Sequence, residues 1–310
     1  LFRSYKREEI FRQEGWNYHL EQKEGPLKYN GVVYNEMKGA FSSPDEVLER
    51  EIMNHLFPDT TYGCESGGDP KNIPDLTYEN FLNFHRTYYH PSNSYIYLYG
   101  NMDMEEKLAF LDEHYLSHFD YLDVDSVIQE QKAFGACQDV TLEYPVAENE
   151  GEEDNTYLSY NMVVGNAADS QMAMAFEVLD YALLSAPGAP LKQALLDVKA
   201  GKDVYGSYDD GILQPYFTVI AKGSNPDRKE EFVSVIRQVL GDIVKNGIDR
   251  KAVEAGINYF EFRYREADFS SYPKGLMYSL DILGDWLYEK GNPFAQVQQL
   301  TVFEKLKKAV

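Results

Sequence analysis

A catalytic zinc ion needs three protein ligands and one open position. Two histidines four residues apart on one helical face supply a pair of such ligands, so His114 and His118, in "HYLSH", come first. The order His-Glu-x-x-His fails, because Tyr115 follows His114. The inverted order, His-x-x-Glu-His, is approached by "FLDEH", where Phe110 stands at the first histidine position and cannot ligate. Both histidines are therefore expected to be exposed or to cap a helix. His85 and His90 are five apart, off a common face, and read as structural.

Serine chemistry is weighed on "CESGGD", Cys64 to Asp69. A triad also needs a histidine base and an orienting acid, and none of the six histidines sits in such a context. The Gly-x-Ser-x-Gly elbow fails as well, since Cys64 occupies its first glycine position. The plainer reading is a turn that uses Gly67 and Gly68 for positive φ. No phosphate loop, dinucleotide fingerprint or basic-aromatic strip is present.

Glu36 poses a different question. In "GVVYNEMKGAFS" it lies among apolar residues in the middle of a predicted helix. Charged side chains are almost never fully buried unless paired. Either Glu36 faces water, or it has a partner.

The elements that would position these residues follow from pattern. The stretch from about Ser4 to Gly15 is helical, and "NYHLEQ" alternates as a strand does. The Glu36 helix is expected to stop at Gly39 in a left-handed conformation. Ser43 as N-cap, Pro44 at the first helical position and Glu46 closing a capping box start the next helix. In it Leu48, Ile52 and Leu56 make one apolar stripe. After a glycine- and proline-rich loop, Thr77 caps a helix carrying Phe81, Leu82 and Phe84, which "YYHPSN" ends. "SYIYLYGN" reads as a strand and Asp103 to about Phe119 as a helix. Residues 126–155, acidic and irregular through "PVAENEGEEDN", read as a linker. Beyond it come strand "TYLSYNMVV", helices "DSQMAMAFEVLDYALLS" and "APLKQALLDVKAG", and strand "PYFTVIAKG". Helices then start from Pro226, Asp249, Tyr272 and Pro293.

Composition sets the outer limits. The chain has 310 residues, 44% hydrophobic and 14% aromatic, enough for two globular domains. No apolar run is long enough to span a membrane. It opens on Leu1 in mid-helix, and is expected to be a piece of a longer polypeptide. Asp plus Glu number 51 against 29 Lys plus Arg, a formal net charge of -22. That argues against a nucleic-acid partner, which needs a basic face, and is compatible with attracting cationic peptides or simply with solubility. Only Cys64 and Cys137 are present, far apart, which points to a reducing compartment.

"GVVYNEMKGAFS", followed by "LFPDTTYGCESGGDPKNIPDLTYENFLNFHRTYYHPSNSYIYLYGN", resembles the insulinase/pitrilysin zinc metallopeptidases, specifically the presequence-protease subfamily. "FRQEGWNYHLE" upstream fits the same pattern, as does Tyr89-x-Pro91-x-Asn93 before the strand ending in Gly100. Residues 140–310 are similar more weakly, with "GAPLKQALLD" looking like the family's second domain. The resemblance implies an α+β fold of two related domains, each a mainly antiparallel sheet packed against helices. It implies residues 1–125 as the C-terminal part of the first, zinc-binding domain, and residues 156–310 as a second peptidase-like domain. The implied activity is hydrolysis of unfolded peptides in an enclosed chamber, with zinc as cofactor and zinc-activated water as nucleophile. Glu36, in "NEMKG", then corresponds to the distal zinc ligand. The histidine pair and the general base are not in this chain; they are expected upstream of Leu1, and the chain alone is expected to be inactive. Some members also carry a glutamate seven residues before the distal ligand, where this chain has Tyr29. The alternative is a catalytically inactive homologue with a structural or peptide-binding role. The implied partners are unfolded peptides and the rest of the same polypeptide, with no nucleic acid and no membrane. A cytoplasmic location is expected, or mitochondrial or plastid in a eukaryote.

Overall fold

The computed structural model describes residues 6–147, 151–267, 269–288 and 292–310. Among them an antiparallel strand pair and a three-stranded antiparallel sheet are found, with helices around them. The chain divides into two units, Leu1–Pro145 and Val146–Val310.

In the first unit, α1 (Glu8–Glu14) leads into the hairpin of β1 (Asn17–His19) and β2 (Lys28–Asn30). The predicted helix from Ser4 begins later, at Glu8, with Ser4 outside the described residues. Next come α2 (Val32–Ala40) and α3 (Pro44–Leu56). Gly39 does not stop α2: it lies inside the helix, which Phe41 ends. Ser43 stands at the cap of α3 in extended backbone, but its side chain makes no cap hydrogen bond, so the predicted capping box is absent. The box forms one helix later. Thr77 accepts from the Asn80 backbone N–H while the Asn80 side chain accepts from that of Thr77, starting α4 (Tyr78–Tyr88). In α5 (Met104–His114) the Asp103 side chain accepts from the Glu106 N–H. The helix ends at His114, and His118 lies in a separate 3-10 turn, Leu116–His118. The shared helical face expected for these two histidines is therefore broken. Residues 94–99, predicted as a strand, lie outside both sheets. Alternation marks which faces a strand would bury, but a strand exists only within a ladder.

Few apolar side chains of this unit are fully buried; Ile52, Phe57 and Ile73 are the main ones among the described residues. Gln131 is also buried. Its amide donates to Asp59 Oδ2 at 2.8 Å and accepts from the Asp59 backbone N–H at 2.9 Å, tying the irregular residues 120–147 to the segment after α3.

The second unit holds the larger core. It runs β3 (Thr156–Val163), α6 (Ser170–Asp180), a π-turn (Tyr181–Ser185), α7 (Pro190–Asp197), β4 (Asp203–Asp209) and β5 (Tyr216–Ser224). Four helices follow: α8 (Lys229–Asn246), α9 (Arg250–Glu266), α10 (Lys274–Leu287) and α11 (Leu300–Ala309). The sheet order is β3-β5-β4, antiparallel throughout. Period-two alternation sends Leu158, Val204, Phe217, Val219 and Ala221 to one face, where Leu191, Leu195, Phe232 and Ile236 from α7 and α8 cover them. A second cluster joins Met174 and Val178 of α6, Val253 and Ile257 of α9, and Val302, Phe303 and Leu306 of α11. β4 was not predicted: "DVYGSYD" is rich in residues that strands disfavour, and its ladder with β5 makes it a strand.

Candidate functional site

The site is built around α2, and one turn per 3.6 residues divides that helix into two lines. Tyr34, Met37 and Phe41 point to one side, and Val32, Glu36 and Gly39 to the other, with Val33 beside them. The first line is the anchored one. Tyr34 packs its ring on Tyr29 of β2 at 5.8 Å, and Tyr29 in turn meets Tyr18 and Trp16. The Trp16 indole donates to the Leu76 carbonyl at 2.8 Å, fixing the hairpin from behind. The neighbouring Tyr18 hydroxyl raises the pKa of the Tyr29 phenol.

Two glycines let the backbone come this close. Gly31 has φ +145°, and a Cβ there would lie 2.3 Å from the Gly15 carbonyl oxygen. Only glycine fits, and the Tyr34 N–H then reaches the same oxygen at 3.2 Å. Gly67 lies under Met37, where a Cβ would meet Sδ at 2.3 Å. The turn "CESGGD" uses positive φ at Gly68 only, while Gly67 is required for space. At the far end the Arg50 guanidinium lies 3.7 Å above the Phe41 ring.

The second line is displayed. Val32 and Val33 are 45% and 38% exposed, large values for β-branched apolar side chains, and Glu36 is exposed between them. Among the described residues no hydrogen bond or ion pair engages Glu36. Nor is there, among them, any group of three or more His, Cys, Asp or Glu side chains that could hold a metal ion. Glu36 is thus an exposed carboxylate on an anchored helix, able to serve as one ligand of a larger set.

Four of the six histidines have local partners away from Glu36. His85 stacks on Tyr89 at 4.6 Å, and its Nδ1 lies 3.0 Å from Lys6 Nζ; burial first, then the lysine charge, lower its pKa. His90 caps the Ser92 N–H, His55 Nδ1 meets the Glu51 carbonyl at 2.7 Å, and His114 packs on Phe110. Cys64 and Cys137 are exposed free thiols.

Sequence pattern missed one constellation altogether. In the second unit Glu177 and Asp180 of α6, Asp210 after β4 and Asp281 of α10 all have raised pKa values, chiefly through burial. They come from three separated segments, so no spacing rule connects them.

The description "Peptidase M16 inactive domain" fits residues 75–260. Protein HypA of Clostridium perfringens is 49% identical over 306 residues, covering 99% of this chain and 31% of the relative. Presequence protease 1, chloroplastic/mitochondrial, of Arabidopsis thaliana is 36% identical over 301 residues, covering 96% and 28%. The chain thus spans about a third of the length of these relatives. Among solved structures, a peptidase M16 inactive domain from Pseudomonas fluorescens superposes with a TM-score of 0.61 at 20% identity, covering 89% of this chain and 65% of that one. A putative M16-like peptidase from Alicyclobacillus acidocaldarius gives 0.59 at 18% identity, covering 90% and 64%. Both likenesses concern the fold, which is the mixed helix and antiparallel-sheet arrangement expected.

Proposed function

Because the chain belongs to the M16 peptidase family, we propose that it is part of a zinc-dependent oligopeptidase that hydrolyses unfolded peptides in an enclosed chamber. Glu36 is the distal zinc ligand, and the two histidine ligands and the general base come from a part of the polypeptide outside this chain. Residues 1–125 belong to the zinc-binding domain, 126–155 to the linker and 156–310 to a second domain without catalytic groups.

One observation carries this reading: a lone carboxylate stands in the middle of the apolar, displayed face of a firmly anchored helix. Val32 and Val33 suit that face to burial against another element. Burial would strip water from Glu36, at a cost of several kcal/mol unless a cation compensates. A divalent ion held jointly with two imidazoles compensates fully and leaves a position open. When bound, zinc supplies Lewis acidity toward the peptide carbonyl and the attacking water. This chain's own contribution is to anchor the backbone of α2, which sets where Glu36 projects. Exposed Leu27, Phe84 and Leu108 likewise favour cover from the rest of the polypeptide. Two free thiols suit a reducing compartment, here taken as the cytoplasm. Among the described residues no helix is long and apolar enough to cross a membrane.

The test is Glu36→Gln in the full-length polypeptide. A neutral amide is a weak zinc ligand, so metal analysis of the purified variant should show zinc lost, with peptide hydrolysis falling by about 100-fold or more. Full zinc occupancy in a folded variant would overturn the assignment.

A further inference from the structure

The carboxyl groups of the second unit meet where three elements converge. Phe176 of α6 stacks on Tyr208 of β4 at 5.5 Å, bringing the C-terminal half of α6 over the end of that strand. Asp180 sits directly on Gly206: a Cβ there would lie 3.2 Å from Asp180 Oδ1 and 2.2 Å from Leu184 Cδ1. α10 closes the third side, its Tyr288 hydroxyl donating to the Gly211 carbonyl at 3.4 Å. Asp281 lies seven residues before Tyr288, so helical spacing puts both on one face, toward the turn that carries Asp210. α9 contributes the fourth wall, with Tyr259 stacked on Tyr181 at 5.2 Å and the Arg263 guanidinium above Tyr259 at 5.7 Å.

The charged and titratable groups that face one another here are Glu177 and Asp180 of α6, Tyr208, Asp209 and Asp210 at the end of β4, and Asp281 and Asp285 of α10. Asp169 at the start of α6 acts on Tyr208, and Arg263 is the cation acting on Glu177. Asp180 Oδ1 is buried and makes no hydrogen bond, while Oδ2 accepts from the Ser185 hydroxyl at 3.3 Å. Between Asp180 and Ser185 the helix widens into the π-turn, closed by the Ala186 N–H on the Tyr181 carbonyl at 2.7 Å. Such widenings hold fewer turns per residue than an α-helix and commonly mark points of conformational adjustment.

We propose that this junction is a pH-sensitive latch, in which protonated carboxyl groups let α6, the turn after β4 and α10 close together, and their ionisation loosens the π-turn between them. In the ionised state several carboxylates share one half-buried space, with Arg263 the cation acting on Glu177 among the described residues, and Asp180 keeps a buried oxygen without a donor. In the protonated state the mutual repulsion is gone and the unpaired Asp180 oxygen is neutral, which lowers the cost of its burial. Burial, reinforced by Asp210 and Asp180, pushes the pKa of Glu177 from 4.5 to about 7, and Asp180, Asp210 and Asp281 are raised as well. A raised folded-state value gives stability that is complete below the unfolded value and lost as pH rises through the folded one. The window therefore runs from about 4.5 to about 7 for Glu177.

Amide exchange on the full-length protein tests this, read as protection factors so that the chemistry of exchange itself is removed. Between about pH 5.5 and about pH 8.5, protection across residues 177–186 and 206–211 should fall by roughly tenfold or more, while α8 stays unchanged. The pair Glu177→Gln with Asp210→Asn should lose most of that fall, leaving only the part due to Asp180 and Asp281. Arg263→Gln, which removes the cation favouring ionised Glu177, should move the midpoint to higher pH. Flat protection in the unaltered protein, or an unshifted midpoint in Arg263→Gln, would overturn the latch. So would an unchanged fall in the neutralised pair. None of these readings depends on zinc or on peptide hydrolysis.

Discussion

Glu36 and the pair His114 and His118 make opposite claims on a metal, and both can be tested on single side chains. His118 is separated from His114 by the end of a helix, so the two rings do not share a face. In the full-length polypeptide, His114→Ala together with His118→Ala should leave zinc content unchanged, as metal analysis would show. On the proposed reading the 310-residue chain by itself offers Glu36 as one ligand of a three-ligand set, and among the described residues no group of three or more metal-binding side chains is found. It should therefore bind zinc no better than an ordinary surface carboxylate, and a tight stoichiometric isotherm in calorimetry would reveal ligands other than Glu36. At this scale residue type alone says what a group can do; whether it does so depends on neighbours that one-dimensional spacing does not specify.

At the scale of elements, the helix ends and close approaches decide which predictions survive. Thr77 and Asn80 satisfy each other's backbone N–H groups at the start of α4, so Thr77→Ala should destabilise the first unit by about 1 kcal/mol in denaturant titration. Ser43→Ala, at a cap without such a bond, should cost clearly less. Gly206 is a sharper case. A methyl group there would lie 2.7 Å from the Thr218 carbonyl oxygen, which belongs to the sheet and cannot move aside. Gly206→Ala should cost about 1–3 kcal/mol of overpacking strain in the second unit, read as a lower unfolding midpoint. The cap at Thr77 was visible in sequence as a threonine before an apolar helix, whereas its reciprocal bond with Asn80 was not, the box being expected at Ser43 and Glu46. The need for glycine at 206 was not, because it arises from α6 folding back over β4.

For the whole molecule, charge is the property most directly open to measurement. If the proposed function holds and a net charge of -22 lines a peptide chamber, it should concentrate cationic peptides there. On that reading the full-length polypeptide's kcat/KM for a basic peptide should fall with added salt, because screening at physiological ionic strength acts beyond roughly 8 Å. A neutral peptide of equal length should respond much less, and equal responses would assign the acidity to the outer surface. Sequence by itself determined most helices of the second unit, strands β3 and β5, the mixed helix and antiparallel-sheet class, and Glu36 as the residue to examine. Those follow from local periodicity and from motifs contiguous in the chain. The helix expected from Pro293 begins at Leu300, and the one expected through Ser185 turns into the π-turn after Asp180. Tertiary structure alone decided that β4 is a strand, that residues 94–99 lie outside both sheets, and that α2 turns Glu36 away from its anchored side. It also gathered Glu177, Asp180, Asp210 and Asp281 into one junction. The reason is common to all of these: ladder pairing, burial and electrostatic coupling are relations between segments distant in sequence, and they have no magnitude until the fold sets the distances.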